Sequence, residues 1–257
     1  MRSKRYLAII VAIALLASVF APLVAVSGAE LALAPRIHID QSTSSNWGGY
    51  AVQSTSGSVT SVKGSWVVPS VTGAKRTTAY SSFWVGIDGY ISNTVEQIGT
   101  DSDIQNGRAT YYAWFEFYPN PAYQLLRFPV RPGDVISASV TYSSGTFTAS
   151  ITDQSTKKTF TTSSTMPSAS RSSAEWIAEA PSSNQGILPL ANFGTVTFSS
   201  CTANVGNGPQ SILSFGPLAT STTGTGYDPI TIIQPAATAT PTALTGTGDY
   251  FSVQWAP

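Results

Sequence analysis

Histidine and cysteine are almost missing from this sequence, and charge is scarce. Of 257 residues, one is His and one is Cys. The single His38 stands near the N-terminus, so a Ser-His-Asp triad is not expected and a His-rich zinc site cannot form. The single Cys201 closes no internal disulfide and builds no Cys-x-x-Cys metal site; it reads as a small apolar residue. Charged residues make up 10% of the chain, well below the roughly 25% of an average soluble protein. Few groups therefore change ionisation as the pH falls, which suits an acidic medium. The 21 Gly and 16 Pro, with many Ser and Thr, would suit disorder, but 42% apolar and 11% aromatic residues supply a packed core.

The N-terminus has a different composition. Arg2, Lys4 and Arg5 precede an uncharged run from residue 6 to 26 rich in Leu, Ile, Val and Ala. Ser27-Gly28-Ala29 then offers the small residues a signal peptidase reads. Residues 1–29 are thus expected to be a signal peptide, and the protein to be secreted. Retained, the run is long enough to act as a membrane anchor instead; cleaved, it leaves no stable membrane association. The mature chain would carry 10 basic and 13 acidic side chains, a formal charge of −3. No basic patch survives, so nucleic acid is not an expected partner. Residues 30–43 show little pattern and read as a short pro-segment or linker.

From residue 44 the chain reads as one all-β domain ending at 257. Alternating runs rich in Val, Ile, Thr, Tyr, Phe and Trp recur at 65–68, 80–85, 110–118, 135–142, 146–152, 174–179, 195–198 and 250–255. Gly, Pro, Ser, Asn and Asp divide them. Many short strands with regular turns imply a sandwich or barrel. The Ala/Thr/Pro-rich stretch 235–244 reads as a loop inside the domain.

With His and Cys set aside, acid–base work falls to carboxylates and amides. Asp88, Glu96, Gln97, Asp101, Glu116, Glu175 and Glu179 lie in apolar or aromatic surroundings. Strand alternation puts Glu175, Ile177 and Glu179 on one face, and Trp114, Glu116 and Tyr118 on one face of another strand. A sheet face carrying aromatics and carboxylates makes a plausible groove, and apolar burial tunes carboxyls for acid–base work. Each residue also has a plainer reading. Asp88 before Gly89 suits a turn, Asp101 and Asp103 suit a loop, and Trp84 and Trp114 suit a core or its rim. Glu-x-x-x-Glu alone suits an exposed surface.

The order of motifs adds more. Ser45-Asn46-Trp47-Gly48-Gly49-Tyr50 is followed by Gly64-Ser65-Trp66-Val67-Val68-Pro69-Ser70-Val71 and Phe83-Trp84-Val85-Gly86-Ile87-Asp88-Gly89. Then come Glu96-Gln97-Ile98-Gly99, residues 112–119, Pro132-Gly133-Asp134, Ala174-Glu175-Trp176-Ile177-Ala178-Glu179, and residues 191–198. This series closely resembles the glutamic peptidases, the eqolisin family of acid endopeptidases, from about residue 44 to the C-terminus. The resemblance implies a lectin-like β-sandwich of two antiparallel sheets. It also implies a catalytic pair, Gln97 and Glu179, 82 residues apart in sequence. Trp84, Asp88, Asp101 and Glu116 match positions in or around the family's groove, and Glu175 matches a supporting position.

The implied chemistry is the hydrolysis of polypeptides. Ionised Glu179 would take a proton from water and return it to the leaving nitrogen, while Gln97 would donate to the oxyanion. Working in acid then requires hydrogen bonds that hold the Glu179 pKa low. No metal or organic cofactor is implied, and a monomer is expected. The rival classes are a non-catalytic, lectin-like carbohydrate-binding sandwich and a structural cell-surface domain. A glycosidase is a further enzyme reading, since paired carboxylates also serve that chemistry.

Overall fold

The computed structural model describes residues 43–257. The signal segment expected over 1–29, His38, and all but the last residue of 30–43 lie outside the described residues. The strands are, in chain order, β1 (Thr43–Ser44), β2 (Trp47–Gln53), β3 (Val59–Val67), β4 (Ser82–Ile87), β5 (Val95–Gln105) and β6 (Arg108–Tyr118). Next come β7 (Tyr123–Pro129), β8 (Val135–Ser143), β9 (Thr146–Asp153), β10 (Lys158–Thr165), β11 (Ser173–Glu179) and β12 (Ser182–Ser183). The last are β13 (Gly186–Ile187), β14 (Thr195–Val205), β15 (Pro209–Ser211), β16 (Gly226–Gln234), β17 (Ala237–Pro241) and β18 (Phe251–Ala256). Two short 3₁₀ turns, Ile212–Phe215 and Leu218–Thr220, join them, and α-helix is absent among the described residues. No helix there is long and apolar enough to cross a membrane.

Alternation builds these elements. In β9, Phe147, Ala149 and Ile151 are buried while Thr146, Thr148, Ser150 and Thr152 are only partly covered. Period-two patterning of this kind covers one face and leaves hydroxyls on the other. All eight runs expected from the sequence overlap strands, with Val68, Tyr80, Ser81 and Tyr250 lying just outside them.

One hydrogen-bonded ladder runs β10-β9-β8-β3-β14-β18-β17-β16-β2-β11-β4-β5-β6-β7. It changes sheets at β16, where Gly226 to Ile230 pair with β2 and Ile232 to Gln234 pair with β17. The two halves pack face to face as antiparallel sheets of a β-sandwich. Val62, Trp66, Ile136, Val140 and Phe147 of the first sheet share a core with Val85, Ile98 and Trp176 of the second. Two indoles bond across the interior: Trp176 Nε1 donates to the Lys63 carbonyl at 2.7 Å, and Trp66 Nε1 to Thr100 Oγ1 at 2.9 Å. Gly64 permits this approach, because a Cβ there would lie 2.8 Å from Trp176 Cδ1. A buried indole removes about 150–250 Å² from water, on the order of 4–6 kcal/mol.

Three local expectations change. Residues 235–244 are not all loop: β17 lies between β16 and β18, its Ala237 and Ala239 small enough to face inward. Its Pro241 ends the strand, where a missing N–H is tolerated. Asp101 and Asp103 lie inside β5, where neighbouring donors offset the poor strand propensity of Asp. Glu175 and Glu179 are buried, because β11 is an interior strand paired with β2 and β4.

Candidate active site

The second sheet turns its other face away from the sandwich interior, and alternation with register lays out that face. Across β11, β4, β5 and β6 the register forms three rows. The first is Glu175, Gly86, Gln97 and Glu116; the second is Ile177, Trp84, Gly99 and Trp114; the third is Glu179, Ser82, Asp101 and Tyr112. Strands remote in sequence thus bring seven of the eight expected site residues to one surface. Asp88 stands just beyond β4. A second apolar cluster, including Trp47, Trp84, Trp114 and Ile177, covers the same face.

Gly86 and Gly99 leave gaps in this lattice, and Trp84 fills the first. A Cβ on Gly86 would lie 2.9 Å from Trp84 Cζ3 and 3.2 Å from Gln97 Cβ. The indole therefore lies across the strands, its ring edge-on to Trp47 with centroids 5.0 Å apart.

Hydrogen bonds fix the polar groups. Trp84 Nε1 donates to Glu179 Oε2 at 2.7 Å, and Asn46 Nδ2 to Oε1 at 3.3 Å. Gln97 Nε2 donates to Glu116 Oε2 at 2.7 Å, while Gln97 Oε1 is buried without a partner among the described residues. Asp101 accepts from Ser82 Oγ at 2.6 Å, from Tyr112 OH at 2.7 Å and from Trp114 Nε1. The Tyr112 hydroxyl also lies 3.1 Å from Asp103 Oδ2. Glu179 and Gln97 share the face without bonding to each other.

Burial dominates the electrostatics. It pushes the Glu179 pKa up to about 8, against the bond from Trp84, and the charge of Glu116 adds to the rise. This differs from the expectation that hydrogen bonds would hold Glu179 low. Two donors do not offset the loss of hydration around a carboxyl only 4% exposed. Burial raises Glu116 to about 7, its bond from Gln97 opposing, and Asp101 to about 6, its three donors opposing. Burial pushes the Glu175 pKa well above the usual carboxylate range, and neither of its carboxyl oxygens has a hydrogen-bond partner among the described residues.

Asp88 has a different geometry. It has φ 71°, and its carboxylate accepts from the backbone N–H groups of Arg171 and Ser172 and from Ser172 Oγ. It clamps the turn after β4 to the segment before β11. Glu96, next to Gln97, belongs to the opposite face and the sandwich interior. Asn46, Ser82, Tyr112 and Trp47 were not singled out from the sequence. Asn46 and Trp47 lie in a quoted motif, and Tyr112 lies two positions before Trp114 on its strand face. Among the described residues, no group of three or more His, Cys, Asp or Glu side chains is arranged to hold a metal ion.

Comparison with known proteins gives one consistent result. The model of the peptidase A4 family matches residues 45–248. The chain is 34% identical over 187 residues to Aspergillopepsin-2 of Aspergillus niger, covering 63% of this chain and 65% of that protein. It is 32% identical over 170 residues to Scytalidopepsin B of Scytalidium lignicola, covering 61% and 62%. The chain thus spans just under two thirds of the length of these two relatives. Among solved structures, scytalido-glutamic peptidase with a transition state analog inhibitor superposes with a TM-score of 0.66 at 25% identity, covering 82% of this chain and 98% of that one. Aspergilloglutamic peptidase from Aspergillus niger gives a TM-score of 0.58 at 26% identity, covering 69% and 99%.

Proposed function

The chain belongs to the peptidase A4 family, and on that premise we propose that it is a secreted endopeptidase that hydrolyses polypeptides in acid with Glu179 and Gln97 as its catalytic pair. The observation that carries this reading is the grip on Glu179. Each of its oxygens receives one donor, Trp84 on one and Asn46 on the other, on the same face as the Gln97 amide. A carboxylate so held keeps its remaining lone pairs for a water. Residues 1–29 act as a cleaved signal peptide, 30–43 as a short pro-segment or linker, and residues 44–257 as the catalytic domain, a monomer without a cofactor.

In the reaction, the Glu179 carboxylate takes a proton from water, and the water oxygen bonds to the scissile carbonyl carbon. The carbonyl oxygen becomes an oxyanion, which a Gln97 N–H stabilises. Glu179 then gives its proton to the amide nitrogen, the C–N bond breaks, and an acid and an amine leave. Asp101, Trp114 and Tyr112 form the bonded floor beside the pair, Glu175 shares the row of Gln97 in a supporting position, and Asp88 holds the adjoining turn. The largest cause of the high Glu179 pKa is lost hydration. A reacting water bonded to Glu179 hydrates the charged form, which lowers its pKa and extends base catalysis into acid.

Incubation of the processed chain with a denatured protein at pH 2 to 7, followed by mass spectrometry, tests this reading. Internal fragments formed at acid pH support it. An intact substrate at every pH overturns it.

A further inference from the structure

The Gln97 amide has two ends, and they are in unequal surroundings. Nε2 is 2.7 Å from Glu116 Oε2, and Oε1 is buried with no hydrogen-bond partner among the described residues. Glu116 holds the Nε2 end, so the end left for other partners carries the carbonyl oxygen, an acceptor with no N–H to give an oxyanion. A terminal amide torsion is roughly two-fold, so a half-turn exchanges the ends within the same volume. What selects the end is the neighbour. An ionised carboxylate only accepts, whereas a protonated one has an O–H to donate.

We propose that Glu116 is a positioning residue whose proton decides which end of the Gln97 amide faces the groove. Neutral Glu116 donates its O–H to Gln97 Oε1 and turns Nε2 toward the oxyanion. Ionised Glu116 takes Nε2 for itself and turns the carbonyl oxygen there, where it repels the oxyanion. The inference rests on the reading of Gln97 as the oxyanion donor.

The surroundings of Glu116 suit this role. From β11 it meets the charge of Glu179, and Asp101 of β5 lies four residues along from Gln97 on the same face. Tyr118 is the next residue on its own strand face, and β7 sets the uncharged Gln124 beside Trp114. Among the described residues, no cation is bonded to Glu116 to keep it ionised. Burial raises its pKa to about 7, with only the Gln97 bond opposing. It therefore holds its proton through the acid range, and the descending limb of kcat against pH belongs to it.

The test is kcat and KM against pH for the parent chain, Glu116→Gln, Glu116→Ala and Gln97→Ala, with near-UV circular dichroism at each pH to separate loss of the fold. A glutamine at 116 keeps an N–H for Gln97 Oε1 at every pH. Relative to its own maximum, the descending limb of Glu116→Gln is expected to move up by about one pH unit or more. Glu116→Ala is expected to lose about tenfold in kcat with little change in KM, and to lose the limb. An unshifted limb in folded Glu116→Gln, with Gln97→Ala inactive, overturns the proposal alone. A folded Gln97→Ala with the parent kcat overturns the oxyanion reading and the proposal with it.

Discussion

Trp84 donates its indole N–H to Glu179 across the pairing of β4 with β11, 2.7 Å from Oε2. The bond lowers the Glu179 pKa, in opposition to burial. Trp84→Phe keeps an aromatic ring and removes the donor. A hydrogen bond to a charged group contributes about 1.5–3 kcal/mol, equivalent to about one to two pH units. The rising limb of kcat/KM is therefore expected to shift upward by that amount, with acid activity falling about 10- to 100-fold. The pH profile of the purified variant checks this.

Gly86 makes room for the same indole. In Gly86→Ala the new Cβ meets Trp84 Cζ3 at 2.9 Å and Gln97 Cβ at 3.2 Å, so one of the two must move. Displacements of this size at a reacting centre are expected to lower kcat by about tenfold or more, and the overpacking to cost about 1–3 kcal/mol of stability. Steady-state kinetics beside a urea melt reads both. A parent-like kcat would mean that the position of Trp84 and Gln97 does not matter.

Glu96 carries a pH dependence of stability rather than of catalysis. It pairs with Ile87 and Phe117 on the interior face, and neither carboxyl oxygen has a partner among the described residues. Burial, then the charge of Asp88, raises its pKa to about 9. A pKa raised on folding gives stability that is complete below the ordinary carboxylate value and is lost as the pH rises through about 9. Glu96→Leu removes that loss. The variant is expected to exceed the parent by on the order of a few kcal/mol at pH 8 and to differ far less at pH 4. Urea denaturation at the two pH values checks it; an equal gain at both would place the pH dependence elsewhere.

Much of this architecture was legible in single segments. Alternation located β6, β8, β9 and β11, and it put Glu175 with Glu179 and Trp114 with Glu116. The same rule turns Glu96 away from Gln97. Register between strands was not legible, because it is set by long-range pairing that no local pattern records. Ser82 becomes a partner of Asp101 only once β4 lies on β5. Glu116 reaches Gln97 only once β6 lies on the other side of β5. Asn46 reaches Glu179 over 133 residues of sequence. Asp101 and Asp103 suited a loop by composition, and donors from neighbouring strands hold them in strand β5. The pKa of Glu179 depends on how completely the folded chain excludes water, which the motif around it does not specify.

The most direct measurement is cleavage of a denatured protein from pH 2 to 7 by the processed chain, Glu179→Gln and Gln97→Ala, with folding checked by circular dichroism. Acid cleavage by the parent and its loss in both folded variants are expected. Cleavage that survives Glu179→Gln would contradict this expectation and move the base to another carboxyl of the face, Glu175 or Glu116 first.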